Sequence, residues 1–302
     1  MGRSQRHGSD KVRQIKVACC QVAPVFGDVE GNLARAERAL ERAAELGARV
    51  AVLPELANTG YVFACREEAL GLAEAADGRS VSFWAALARR LGMAVAAGFC
   101  EAGADGGLYN SAVLLGPDGE RAGYRKAHLW DAEKLVFDLG EQPPPVLETR
   151  FGRLALMICY DLEVPEWVRL PALAGADLLC APVNWPVLPH PPDERQAERF
   201  KAQANAAFNR LPIAVCDRHG RERGVDWSGA SLIVDADGYP LALAETGRDE
   251  DQLLLADLDL AASRDKFISR RNHVHADRRP ELYRALQDEE SRAASAAATD
   301  AG

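Results

Sequence analysis

The feature that most limits what this chain can become is its rhythm. Short apolar runs alternate with longer segments whose apolar residues recur every three or four positions. Ile15 to Val22 reads as a strand, and Asn32 to Leu46 as a helix closed by Gly47. Val50 to Leu53 reads as a short buried strand, then Ser80 to Leu91 as a helix with Ser80 as its cap and Gly92 as its stop. Strands follow at Met93 to Cys100 and Tyr109 to Leu115, joined by the Gly-rich turn Gly103 to Gly107. Gly116-Pro117-Asp118-Gly119 is a hairpin turn leading toward Tyr124, followed by an irregular stretch through Gln142-Pro143-Pro144-Pro145. The second half repeats the alternation. Leu154 to Cys159, Leu178 to Pro182 and Ile213 to Cys216 are strands, with helices at Val164 to Ala174 and Asp193 to Asn209 between them. Ala230 to Val234 and Pro240 to Ala244 pair about Asp235-Ala236-Asp237-Gly238, and Leu253 to Leu258 is the last strand. The alternation means an α/β fold, and the hairpins mean mixed rather than purely parallel sheets.

No linker or internal repeat stands out. The expected organisation is a polar, disordered leader over 1–12, one domain over 13–284, and an Ala-, Glu- and Ser-rich tail over 285–302. A chain of 302 residues, 48% hydrophobic, can bury such a core. Its net charge of −9 argues against nucleic acid or an anionic membrane surface as partner. No apolar run is long enough to span a bilayer, and Met1 to Asp10 lacks the apolar core of a signal peptide. The seven cysteines are irregularly spaced without a CxxC, which suits a reduced, cytoplasmic protein. Each alone reads as buried filler. Cys19 and Cys20 are adjacent on one strand and so point to opposite faces.

Three segments place a reactive side chain just beyond an apolar run. They are Val50-Ala51-Val52-Leu53-Pro54-Glu55, Tyr124-Arg125-Lys126-Ala127-His128-Leu129 and Leu156-Met157-Ile158-Cys159-Tyr160-Asp161. Strand ends are where α/β proteins usually carry their binding groups. Together the three make a working set: a thiol, a carboxylate to accept its proton, and an ammonium to stabilise the anion formed on attack.

These segments resemble the Glu–Lys–Cys triad of the nitrilase superfamily of carbon–nitrogen hydrolases, and the resemblance extends over residues 15–284. Thr59-Gly60-Tyr61, Tyr109-Asn110-Ser111, Pro182-Val183-Asn184-Trp185-Pro186 and Trp227-Ser228-Gly229-Ala230-Ser231 carry it further. It implies a four-layer αββα sandwich, with two mixed β-sheets facing each other and helices on both outer faces. It implies Glu55 as base, Lys126 and the Tyr160 backbone N–H as oxyanion donors, and Cys159 as nucleophile on a sharp strand-to-helix turn. A second glutamate near the lysine matches Glu133 best, with Asp131 as rival. The chain departs from the family in Phe137-Asp138-Leu139-Gly140, where relatives often carry Pro before Gly. Cys159-Tyr160-Asp161 followed by Pro165-Glu166 looks like the aliphatic amidase and carbamoyl-amine branches rather than true nitrilases. The expected reaction is hydrolysis of a small primary amide to carboxylate and ammonia through a thioester, with an N-carbamoyl amine as alternative. A pocket of Tyr61, Trp130, Tyr160, Glu163, Asn184 and Trp185 would hold the substrate, and Glu163 there would favour an amino-bearing one. No cofactor or metal is called for; His273-Val274-His275 lacks a third ligand and reads as a polar loop. Relatives imply a homodimer or larger homo-oligomer, with the helix from Val164 and the segment near Arg278 to Tyr283 as contact surfaces. Arg218, His219, Arg221 and Arg223 read as a solvated loop, or as one touching an acidic substrate or a partner. Two other readings stay open: a catalytically idle scaffold subunit, and acyl transfer to an amine instead of water.

Overall fold

A computed structural model describes residues 14–191, 194 and 196–284. The expected leader, the tail and the first residues of the helix expected from Asp193 lie outside or at the margin of these. Two compact units divide the chain, the first ending at Asp265 and the second beginning at Lys266.

The first unit is built from two six-stranded sheets. Strands β1 (Gln14–Gln21), β2 (Val50–Val52), β3 (Ala94–Ala102), β4 (Leu108–Leu115) and β5 (Arg121–Arg125) belong to the first sheet. Strands β6 (Val146–Thr149), β7 (Gly152–Leu156), β8 (Leu178–Pro182) and β9 (Ile213–Cys216) belong to the second. A two-residue ladder, β10 (Arg221–Glu222) and β11 (Val225–Asp226), stands apart. Strands β12 (Leu232–Val234) and β13 (Pro240–Leu243) complete the second sheet, and β14 (Gln252–Asp259) returns to the first. The spatial orders are β14-β1-β2-β3-β4-β5 and β6-β7-β8-β9-β12-β13. In each, the second to fourth strands are parallel and the flanking ones antiparallel. The two halves thus share one topology, a repeat invisible in the residue types.

Helices α1 (Val29–Glu45), α2 (Arg66–Leu70) and α3 (Arg79–Leu91) lie in the first half, α4 (Pro165–Leu173) and α5 (Ala197–Asn209) in the second. Helix α1 forms because Leu33, Ala36, Leu40 and Ala43 make one apolar stripe, and Asp28 caps the N–H of Gly31 at 3.0 Å. Helix α3 starts one residue earlier than its sequence suggests. Gly78 is its cap, and buried Ser80 gives its N–H and hydroxyl to Glu74 at 2.6 and 2.7 Å. Helix α2 is only five residues long, too short to show a period.

Alternation along the strands builds the layers. Val17, Cys19, Val50, Val52, Ala94, Ala96, Ala112 and Leu114 face the second sheet. Ala18, Cys20, Ala51, Leu53, Val95, Ala97 and Val113 face α1 and α3, where Trp84 is fully buried. Helices α4 and α5 cover the second sheet through Val168, Ala172, Ala202 and Ala206. The result is the αββα sandwich. Strands buried on both faces read as continuous apolar runs. Among the described residues, no helix is long and apolar enough to cross a membrane. In the second unit His273 packs edge-on against Phe267, and its Nδ1 accepts the Ala276 N–H at 3.0 Å, which makes it part of a turn.

Candidate active site

Glu55 follows β2, Lys126 follows β5, and Cys159 follows β7, so the sandwich brings residues of both sheets together. Val183-Asn184 follows β8, the counterpart of β2 in the other half. The two ends are stitched across the sheets: the Glu55 N–H meets the Val183 carbonyl at 3.5 Å, and Asn184 Nδ2 donates to the Glu55 carbonyl at 2.9 Å. Cys159 Sγ lies 3.7 Å from the Asn184 carbonyl oxygen.

Lys126 is buried with both glutamates. Its Nζ donates to Glu55 Oε1 at 2.7 Å, and to Glu133 Oε1 and Oε2 at 2.9 and 2.7 Å. An ammonium has three N–H donors, so all three are engaged. Asn110 ties the carboxylates together, donating from Nδ2 to Glu55 Oε1 at 2.7 Å and to Glu133 Oε1 at 2.6 Å. The Trp130 N–H adds a bond to Glu133 Oε2 at 2.7 Å. Both oxygens of Glu133 are therefore saturated, whereas Glu55 Oε2 is buried and has no hydrogen-bond partner among the described residues. Asp131, the rival to Glu133, is exposed and takes no part in this cluster.

Electrostatics follow from two carboxylates sharing one ammonium in a dry site. Burial raises the pKa of Glu55 to about 7; Lys126 pulls it down, and the Glu133 charge pushes it up again. Burial alone would lower that of Lys126, but Glu133 and Glu55 more than reverse it and keep it charged. The Cys159 thiol is held protonated, first by burial and then by the Glu55 charge, with Lys126 opposing. A free thiolate is thus not stored in the resting site.

The turns that aim these groups are strained. Among the described residues, five non-glycine residues have positive φ, and three of them border the cluster: Leu56 at 47°, Asp131 at 45° and Cys159 at 46°. Such a conformation costs about 1–2 kcal/mol per residue, and strain of this kind gathers at functional sites. Cys159 opens a short 3-10 turn over Cys159–Glu163, so the Tyr160 N–H belongs to the first turn, whose donors the turn itself leaves without acceptors. Behind it, Asp161 accepts the Ile158 N–H at 3.2 Å, the Tyr124 hydroxyl at 2.8 Å and the His128 N–H at 3.1 Å.

A cavity of about 290 Å³ adjoins the cluster, walled by Tyr61, Trp130, Glu133, Phe137 and Trp227 among others. Tyr61 lies in that wall, and burial with the charges of Glu133, Glu55 and Cys159 raises the pKa of its phenol. Asn184 sits behind the cluster, and buried Trp185 gives its N–H to Asp217 at 2.9 Å. Glu163 pairs with Lys201 and is not part of the cavity wall.

Arg218 and His219 are not the solvated loop their charge suggested. Arg218 is 1% exposed and donates to Glu222 Oε2 at 2.6 Å and to the Pro24 carbonyl at 2.8 Å. His219 reaches Asp251 at 2.9 Å, and Arg223 pairs with Glu68. Asn110 and Asp217 are not among the site residues expected from the sequence. For Asn110 a signal existed: it shares strand parity with the inward-facing Ala112 and Leu114, an odd place for an amide without a polar partner. Asp217 also accepts from Arg218, Ala230 and Ser228, and burial still lifts its pKa to about 6.

A two-sheet sandwich with a buried carboxylate, lysine and cysteine at its strand ends defines a class of cysteine-dependent hydrolases. The profile of the carbon–nitrogen hydrolase family matches residues 16–266, and the chain belongs to that family. It is 36% identical over 270 residues to a nitrilase of Pyrococcus abyssi, covering 89% of this chain and 99% of that one. It is 33% identical over 298 residues to N-carbamoylputrescine amidase of Solanum lycopersicum, covering 92% and 96%. An amidase from Nesterenkonia sp. AN1, with the acetamide moiety of fluoroacetamide added covalently at its active-site cysteine, superposes with a TM-score of 0.74. Its identity is 29%, covering 93% of this chain and 99% of that one. The protein is a hydrolase of non-peptide carbon–nitrogen bonds.

Proposed function

We propose that the protein hydrolyses a small primary amide to carboxylate and ammonia, with Cys159 as nucleophile, Glu55 as general base and acid, and Lys126 and the Tyr160 N–H as oxyanion donors. The observation that carries the assignment is the asymmetry of the two carboxylates. Glu133 has both oxygens filled and acts by holding Lys126; Glu55 keeps one oxygen open to accept a proton.

Glu55 takes the thiol proton as Sγ attacks the amide carbon, so the thiolate need not exist beforehand. The oxygen of the tetrahedral intermediate draws on the Tyr160 N–H and on Lys126, which must turn one of its three N–H groups from a carboxylate to that oxygen. Glu55 returns the proton to the departing ammonia, leaving a thioester. Water, deprotonated by Glu55, attacks the thioester carbon; the C–S bond breaks, Glu55 gives that proton to the departing Cys159 sulfur, and the acid leaves as carboxylate. A base whose pKa lies near working pH suits both directions of transfer.

An N-carbamoyl amine is the second reading, favoured by the likeness to the tomato enzyme. The deciding experiment is ammonia release across short amides, ω-amino amides, N-carbamoyl amines and nitriles, with mass spectrometry of the acyl-enzyme. Amide turnover lost in Cys159→Ala supports the reading; turnover of nitriles or N-carbamoyl amines without amides rejects it. Added amine acceptors in the same assay separate hydrolysis from acyl transfer.

A further inference from the structure

The cavity beside Glu133 is larger than acetamide needs, approaching the small end of small-molecule sites at about 300 Å³. Most of its wall is aromatic or aliphatic, from residues that include Tyr61, Phe63, Trp130, Phe137, Val225 and Trp227. The nearby charges are spoken for. Glu133 and Glu55 share Lys126, Glu163 pairs with Lys201, and Glu222 pairs with Arg218. Asp131 and Glu133 both bring a carboxylate to the lining; Asp131 is exposed, and both oxygens of Glu133 already accept hydrogen bonds.

This wall is built rather than incidental. Glu222 Oε1 accepts the N–H groups of Tyr61 and Val62 at 2.8 and 2.6 Å. Its Oε2 is held by Arg218, whose guanidinium lies 5.1 Å from the Trp227 ring centre. Tyr61 and Trp227 then meet edge to face at 5.1 Å. Gly60 permits the approach: its φ is 83°, and a Cβ there would fall 2.6 Å from Glu222 Oε2. One buried ion pair fixes two adjoining aromatic rings before any ligand arrives, which lowers the ordering cost of binding.

We infer that the substrate's acyl group is large and apolar, a longer alkyl or aryl-bearing chain, and that this cavity binds it. The inference rests on the amide-hydrolase reading and goes past it by naming the acyl class. An amino-bearing acyl group would bring an ammonium beside a Glu133 whose oxygens are already held by Lys126, Asn110 and the Trp130 N–H, and burying a charge without a partner is costly.

The test is kcat/KM for acetamide, butanamide, hexanamide and 3-phenylpropanamide, with 5-aminopentanamide as the cationic counterpart of hexanamide. Each methylene withdrawn from water should raise kcat/KM about fourfold, so hexanamide should exceed acetamide about 100-fold or more and exceed its amino counterpart by a similar factor. Trp227→Ala should flatten the series. Val225→Asp, at a half-buried position, should shift preference toward 5-aminopentanamide and keeps the test open where Trp227→Ala does not fold. Amide turnover with a flat series, or with the amino compound preferred by the wild type, overturns the inference while leaving the reaction intact. Turnover of N-carbamoyl amines alone overturns the amide reading, and an N-carbamoyl alkylamine series then decides the cavity by the same slope.

Discussion

At the scale of single residues, two buried glutamates with one lysine between them differ in what they can do. Glu55 has an open oxygen and a pKa near 7, and it must be ionised to accept the thiol proton. The competent form is therefore present above about pH 7, and kcat/KM should fall about tenfold per unit below it, read from a pH–rate profile. Glu133 raises the pKa of Glu55 by its charge. In Glu133→Gln the acid limb should move to lower pH while kcat drops, because Lys126 loses a carboxylate that positions it. An unmoved limb would remove Glu133 from the electrostatics of the site. Lys126→Met leaves two carboxylates buried without a counter-charge. It should abolish turnover and cost about 3–5 kcal/mol of stability, measured by chemical denaturation.

At the scale of elements, the site depends on where strands end. The residue after Glu55 is in a left-handed turn, and that turn packs on Gly98 of β3. A Cβ at Gly98 would fall 2.5 Å from the Leu56 nitrogen and 2.6 Å from the Glu55 Cα. No backbone atom can be that close, so Gly98→Ala must push the base out of line. A displacement of about 1 Å can cost about 100-fold in rate. Activity should fall by that order, with the circular dichroism spectrum retained. Equal loss of both would assign Gly98 to folding alone.

At the scale of the molecule, the site exists only because two sheets stack. Glu55 and Lys126 come from the first sheet and Cys159 from the second, and small inward residues such as Ala94, Ala96 and Ala112 set how closely they approach. Ala96→Leu would wedge them apart. Overpacking of this kind costs about 1–3 kcal/mol, or several degrees of melting temperature for a chain of this size. Activity assayed well below the melting point should fall further than stability does, since the wedge separates base from nucleophile. Full activity in a folded Ala96→Leu protein would show that the spacing has slack.

What the sequence determined by itself was local. Apolar periods announced the main strands and helices, because burial on one stripe or on both faces leaves its mark in residue order. The three segments ending in Glu55, Lys126 and Cys159 were legible because each combines an apolar run with a reactive side chain. Helix α2 was not, being too short to carry a period, and neither was β6, an edge strand with no fully buried residue to make an apolar run. Tertiary structure decided what depends on long-range pairing. It filled both oxygens of Glu133 and left one of Glu55 open, and it turned Arg218 inward to Glu222. It also turned Glu163 toward Lys201 and set Asn110 between the carboxylates. A charged side chain looks solvated until its partner is known. Here the partners lie on other strands, at distances along the chain that no local pattern records.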